Sequence, residues 1–346
     1  MPRSPKNKRP IVGLDIEPGA VAAAQVEPGA PLTVAVAATA ALPPNVVRDG
    51  EVADIDALAS VLKEMFKEHK LDRRVRVGVA NQRIVVRTLE IPPVEDRSEM
   101  EAAVRFLAQD ELPMPLDEAV IDFHPLGIVD TDDGPRQRVV LVAARRQMIE
   151  QVAAAIRAAG LRAEGIDLSA FAMVRALGGD DPAPTLFLSI GGLSNLAIAE
   201  AGTVHFTRVS GSGLEGMAGI LAERRQFPVE EARRLLVAVG LDGEIEPGTE
   251  EEAGMARSVL AEGVRRIAQE ARASLDFHEG AASGTPIVER VVLTGAVVGI
   301  PGFLDALADE LGLPVTPGFV AGGLSDAHGA RFAVAAGLAV EEAQAA

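Results

Sequence analysis

The chain has no cysteine among its 346 residues, which excludes disulfides, thiolate nucleophiles and cysteine-ligated zinc or iron–sulfur sites, and suits a reducing compartment. Positive charge is also scarce: 33 Lys and Arg stand against 50 Asp and Glu, a formal net charge of -17 with a pI near 4.8. A nucleic-acid surface needs a cationic footprint to displace phosphate counterions, so no nucleic-acid partner is expected. No run reaches the roughly 18 apolar residues of a membrane span. The nearest stretch, Val291 to Leu304, is cut by Gly295, Gly299, Pro301 and Gly302. Near the start, Arg3, Lys6, Lys8 and Arg9 precede an apolar stretch that Asp15 and Glu17 interrupt, so no secretory signal is expected. Residues 1–10 read as a disordered basic tail with at most a weak attraction to anionic lipid.

Several reaction classes lack their motifs. There is no Gly-x-x-x-x-Gly-Lys loop for a Walker-type NTPase, and no serine in a nucleophile-elbow pattern. The five histidines (His69, His124, His205, His278, His328) show no metal-ligand spacing and read as surface or structural residues. Gly211-Ser212-Gly213-Leu214-Glu215-Gly216 has dinucleotide-fingerprint spacing. That fingerprint needs a βαβ unit with an acid about 20 residues on, whereas a second helix is predicted to start near Val229. The glycines therefore read as a close-packed helix entrance.

What the chain does have is one figure drawn twice. Ile11 to Ile16 and Leu186 to Gly191 are buried-type strands; each is followed by a glycine turn, a second strand (Val21 to Val26; Leu193 to Ala199), another glycine turn and a third strand (Leu32 to Ala38; Thr203 to Val209). One recurrence signals a duplicated domain, since a solenoid needs at least three repeats. With 346 residues two or more domains are expected in any case. Between the copies, Asp54 precedes an amphipathic stripe of Ile55, Leu58, Leu62, Met65 and Phe66. Strands follow at Val75 to Ala80 and Ile84 to Leu89, then a helix with Ser98 and Glu101 at capping-box spacing that must stop before Pro113. Val120 to Phe123 and Val139 to Ala143 read as strands, and Arg146 to Ala159 as a helix closed by Gly160. This strand-helix-strand-strand-helix order predicts a small α+β module inserted into the first half. In the second half, helices are predicted at Leu214 to Gln226, after Pro228 up to Gly240, and from about Ala253 to Phe277, the last preceded by a Glu-rich connector (Glu244, Glu246, Glu250, Glu251, Glu252). A strand at Val288 to Leu293 and helices near Pro301 and Ser325 complete an α/β protein of two lobes.

In the actin and sugar-kinase architecture, paired turns of this kind clamp a nucleotide's phosphates. Asp15 ends a strand just before its turn, where a carboxylate can hold Mg²⁺ through water while turn N–H groups meet phosphate. The second copy places Ser189 there, ahead of the tight turn Gly191-Gly192. Gly295-Ala296, between a strand and a helix, marks where backbone would pass close to a flat base. Asp15, Ser189, Gly191, Gly192, Gly295 and Ala296 are thus the candidate nucleotide residues, with Asp15 also the candidate metal ligand.

A resemblance becomes specific at Met100 to Phe106, continuing through Leu107-Ala108-Gln109-Asp110-Glu111-Leu112-Pro113-Met114-Pro115-Leu116-Asp117-Glu118 to Phe123. With Val79-Ala80-Asn81-Gln82, Val142 to Arg145, Ala159-Gly160-Leu161 and Arg175-Ala176-Leu177, the chain resembles the PilM family of type IV pilus assembly proteins, relatives of the division protein FtsA. The resemblance implies an actin-like ATPase fold of two duplicated RNase H-like lobes with an inserted SHS2-type subdomain. On that expectation 11–77 and 161–184 form subdomain 1A, 78–160 form 1C, 185–226 and 285–340 form 2A, and 227–284 form 2B. It further implies a cytoplasmic protein peripheral to the inner membrane, reaching it only through a partner. That partner would be the cytoplasmic N-terminal peptide of a PilN-type inner-membrane protein, held in a groove by 1A and 1C and linking pilus motor and platform proteins to the envelope. Self-association into a homo-oligomer stays open.

The departures bear on chemistry. Where the family's first turn continues with glycine and a small hydroxylic residue, this chain has Glu17-Pro18; the carboxylate repels phosphate and proline removes a donor. Ser189 replaces an Asp, and Ala296-Val297 replace glycines. The expectation is a scaffold in which binding of ATP and Mg²⁺ is weakened or lost. The alternatives are an active Mg-ATP-binding ATPase whose nucleotide state regulates assembly, and an FtsA-like division protein. Against the last stands a C-terminal stretch, Val340 to Ala346, without the basic and bulky apolar residues of a membrane-anchoring helix.

Overall fold

The computed structural model describes residues 10–27, 29, 32–131, 134–179, 181–280, 287–322 and 325–340; most of the expected basic tail lies outside them. The first half runs β1 (Val12–Glu17), β2 (Ala20–Glu27), β3 (Thr33–Ala41), the short hairpin β4 (Val47–Arg48) and β5 (Glu51–Val52), α1 (Ile55–Glu68), β6 (Arg74–Val79), β7 (Val85–Ile91), α2 (Arg97–Glu111), β8 (Ala119–Thr131), β9 (Gly134–Arg145), α3 (Arg146–Ala158), β10 (Arg162–Leu168) and α4 (Ser169–Leu177). The second half runs β11 (Thr185–Ile190), β12 (Ser194–Glu200), β13 (Thr203–Ser210), α5 (Leu214–Arg225), α6 (Val229–Val239), α7 (Glu250–Gly280), β14 (Arg290–Thr294), α8 (Phe303–Leu311), β15 (Val315–Pro317), α9 (Asp326–Arg331) and α10 (Ala333–Ala339).

The duplication is real in the sheets. One has the order β10-β6-β1-β2-β3 and the other β15-β14-β11-β12-β13. In each the first strand pairs antiparallel with the second and parallel with the strand reached by a crossover, so Asp15 lies beside Ala22 and Gly78, and Ser189 beside Asn195 and Thr294. Central strands are buried on both faces, which is why they read as continuous apolar runs rather than alternating ones.

Local signals account for most boundaries. Asp54 caps α1 by accepting the Ala57 N–H at 2.9 Å, and Leu58, Leu62, Met65 and Phe66 are buried beneath it. Gly160 turns left-handed after α3, and Gln226 and Gly240 do so after α5 and α6. Three expectations need correction. The cap of α2 is Asp96, not Ser98: its carboxylate accepts the Ser98 and Glu99 N–H groups at 2.8 and 3.0 Å, while Glu101 pairs with Arg105 one turn on. Glu250, Glu251 and Glu252 are the first turn of α7 rather than connector, where acids complement the helix dipole and Glu251 and Glu252 meet Arg225. The β8–β9 hairpin is also much longer than the two short strands expected.

The inserted sheet, ordered β7-β9-β8, buries Leu89, Ile91, Val139 and Leu141 against Met100, Val104 and Ala108 of α2. Helix α3, which the sequence reading groups with this module, packs elsewhere: Met148, Val152, Ala155 and Ile156 share the first-lobe core with Leu58, Leu62 and Val77. Helices α6 and α7 likewise share one continuous core with the second-lobe sheet.

The lobes are joined by two helices that exchange places. Helix α4 grows out of first-lobe strand β10 yet packs Ala172, Met173 and Val174 with Phe187, Ala197 and Ala199 of the second-lobe sheet. Helix α10 ends the second lobe yet packs Ala333, Ala335 and Ala336 with Ala22 and Ala24 of the first. Where they cross, a Cβ on Gly337 would lie 1.9 Å from the Ala172 carbonyl oxygen, and one on Gly13 would lie 1.8 Å from that of Ala335. Only small residues allow that approach. Arg175, ion-paired with Asp167, locks the crossing by donating to the Gly337 carbonyl at 2.9 Å. Gly337→Val should therefore destabilise the protein by about 3 kcal/mol in urea unfolding, an overpacking cost that Gly→Val in an open helix would not show.

Candidate functional site

All six candidate nucleotide residues line one cavity of about 230 Å³ at the joint between the lobes: Asp15, Ser189, Gly191, Gly192, Gly295 and Ala296. The fold puts them together because β1, β11 and β14 all end at the same level. Glu17, Pro18, Glu215, Arg233 and Arg331, which sequence reasoning did not assign to a ligand, complete the lining.

Asp15 is buried at the end of β1, and the Ser169 hydroxyl at the start of α4 donates to its Oδ1 at 3.3 Å. Burial, only partly offset by that hydrogen bond, pushes its pKa up to about 6. Glu17 lies two residues on, and its carboxylate crosses to the other lobe, where Oε2 accepts the Gly192 N–H at 2.9 Å. Burial first, and then the Asp15 charge, push Glu17 up to about 8 against the lowering pull of that N–H and of Arg331. Arg233 is committed to Glu215, donating through Nη2 at 2.8 Å.

The two turns touch. A Cβ on Gly192 would lie 2.2 Å from the Pro18 carbonyl oxygen, one on Gly191 1.8 Å from the Glu17 carboxylate, and one on Gly19 2.4 Å from that of Glu215. Behind the second turn, the Leu214 N–H donates to the Gly191 carbonyl at 2.8 Å, and Gly213 abuts Gly192. The Gly211–Gly216 motif thus serves as the close-packed helix entrance expected of it. On the base side, Gly295 takes a φ of 93° with its backbone against Ile190.

A Mg-nucleotide, the group that the family resemblance implies, does not fit these residues as they stand. The Gly192 N–H, the turn donor nearest the expected phosphate position, is already bonded to the Glu17 carboxyl group, and Pro18 beside it offers no N–H. Among the described residues no group of three or more His, Asp or Glu could hold a metal ion.

A second and larger cleft, about 630 Å³, opens between the inserted module and both lobes. Its walls include Val79 to Arg87 from the end of β6 into β7, Leu168 and Ala170 of the first lobe, Phe206 to Val209 of β13, and Ser274 and Phe277 of α7. Strands β7 and β13 are each the outermost of their sheet. Asn195, buried in the wall, leaves Oδ1 without a hydrogen-bond partner.

Two sheets of one strand order, joined by exchanged helices around a cavity floored by their first turns, define the actin-like class. The chain is similar over 95% of its length to MreB5 of Spiroplasma citri bound to ADP (14% identity, 94% of that chain, TM-score 0.52). It is similar over 97% to the ethanolamine utilization protein EutJ of Carboxydothermus hydrogenoformans (15% identity, 91% of that chain, TM-score 0.56); both likenesses show the fold alone. The likeness to a chain of the PilM–PilN type IV pilus biogenesis complex is stronger, with 27% identity over 96% of this chain and 98% of that one and a TM-score of 0.78. Residues 13–342 match the family described as type IV pilus assembly protein PilM. The chain belongs to the PilM family of type IV pilus assembly proteins.

The buried acids set a pH dependence. Glu17 and Asp15, with pKa values near 8 and 6 when folded against ordinary values of 4.5 and 3.8, hold protons that the unfolded chain has released. Their contribution to stability is complete below pH 3.8 and is lost as pH rises through 6 and 8. Glu17→Gln keeps an acceptor for Gly192 and cannot ionise, so its melting temperature should exceed that of the wild type at pH 9 and converge with it toward pH 5, followed by circular dichroism.

Proposed function

We propose that this protein is a non-catalytic, cytoplasmic scaffold of type IV pilus assembly that binds the cytoplasmic N-terminal peptide of a PilN-type inner-membrane protein and neither requires nor hydrolyses ATP. The family match over residues 13–342 carries the reading. A partner of that kind is supported by the likeness to a chain solved in a PilM–PilN complex. Loss of nucleotide is supported by the cavity described above, whose anion position is filled from within.

The cleft between module and lobes is the site we assign to the peptide. An extended segment laid between two outermost strands gains main-chain hydrogen bonds from unpaired backbone, with side-chain pockets supplying selectivity. No described helix is long and apolar enough to cross a membrane, so attachment to the inner membrane falls to the partner. The protein thereby ties motor and platform proteins on the cytoplasmic side to the envelope part of the machine.

Titration of the full chain with a synthetic N-terminal peptide of the PilN-type protein, read by calorimetry, should give saturable binding with Kd on the order of 1 μM. Phe277→Ala, which removes an exposed ring from the cleft wall, should weaken it by about tenfold. Absence of saturable binding to the folded wild type would remove the proposal.

A further inference from the structure

We infer that Glu17 is a built-in ligand of the Gly191–Gly192 turn: its carboxylate fills the acceptor position a phosphate oxygen would take, clasping the lobes in the closed arrangement that frames the peptide cleft. The inference rests on the reading that no nucleotide occupies the cavity.

Three observations carry it. The contact joins residues 175 positions apart, from the first turn of one lobe to the matching turn of the other, through one hydrogen bond of 2.9 Å. The turns are fitted closely enough that a methyl group on Gly191 or Gly192 would collide with Glu17 or Pro18, so the carboxylate is enclosed by structure rather than resting on a surface. The receiving turn also opens strand β12, whose second residue is Asn195 in the wall of the cleft, and β12 pairs along its length with β13, which brings Phe206 to Val209 to the same cleft. A fold whose closure a bound phosphate could otherwise supply carries its own acceptor, and the groove is held in shape without a cofactor.

The groups facing the Glu17 carboxylate are Asp15 from β1, Glu215 from the start of α5 and Arg331 from α9, with Arg233 of α6 held by Glu215. Asp15 and Glu215 bring like charge toward it and Arg331 opposite charge.

The amide resonance of Gly192 in the full-length protein reports the contact directly. Glu17→Gln, which keeps an acceptor, should leave that amide as protected from exchange as in the wild type. Glu17→Gly should speed hydrogen exchange at Gly192 by about tenfold or more, the weight of one hydrogen bond to a carboxylate, and should weaken the synthetic PilN-type peptide in parallel. A Glu17→Gly variant with Gly192 exchange unchanged overturns the clasp. If Glu17→Gly does not fold, Glu17→Leu, which fills the space without accepting the N–H, decides by the same exchange measurement. A peptide that fails to bind wild type while Gly192 responds to Glu17 defeats the partner assignment and leaves the clasp standing.

Discussion

One hydrogen bond, from the Gly192 N–H to the Glu17 carboxyl group, joins the first turns of the two lobes. Glycine is required at 192, where a Cβ would meet the Pro18 backbone, while at 191 the space is taken by the Glu17 side chain itself. The acids Asp15 and Glu17 are desolvated by the same closeness and hold their protons far into the neutral range. In water a lone carboxylate–amide contact contributes little; enclosed between two packed turns it gains weight, because the alternative is an unpaired buried donor.

The proximity itself is made by α4 and α10. Each helix leaves its own lobe and packs on the other's sheet, so the lobes cannot separate without exposing two apolar clusters. Ala172 and Gly337 at their crossing set the distance between the sheets, and that distance decides how far apart the two turns stand. The same joint holds Ser169 against Asp15, so the floor of the cavity and the hinge of the molecule are one piece of structure. The module adds β7 to this frame opposite β13, and the larger cleft follows from where those two strands are left unpaired.

Much of the fold was legible because buried strands bounded by glycine turns repeat in order, and because Asp54, Gly160 and Gly240 mark helix ends by local chemistry. Competition between nearby signals defeated finer readings: Asp96 outbids Ser98 as a cap since a carboxylate accepts two N–H groups at once. The far half of the β8–β9 hairpin was missed because it is exposed on both faces and carries no alternation to read, and Leu126 and Ile128 look out of place in a strand that has no core behind it. Strand β10 opens on Arg162, Glu164 and Gly165 with a bulge between 163 and 165, and alternates only over Ile166 to Leu168, too short a run to read. The six candidate site residues could be chosen from strand ends alone, and Glu17-Pro18 could be seen as hostile to phosphate. That Glu17 itself occupies the donor of Gly192 could not be seen, since nothing local relates positions 17 and 192.

The picture that results is of an actin-like frame retained for its geometry, with the inter-lobe contact supplied by the chain and the working surface moved to the cleft beside the inserted module. Calorimetric titration of the full-length protein with Mg-ATP tests this most directly. The account predicts no saturable heat at millimolar nucleotide, whereas binding with Kd on the order of 1 μM that Asp15→Ala abolishes would contradict it.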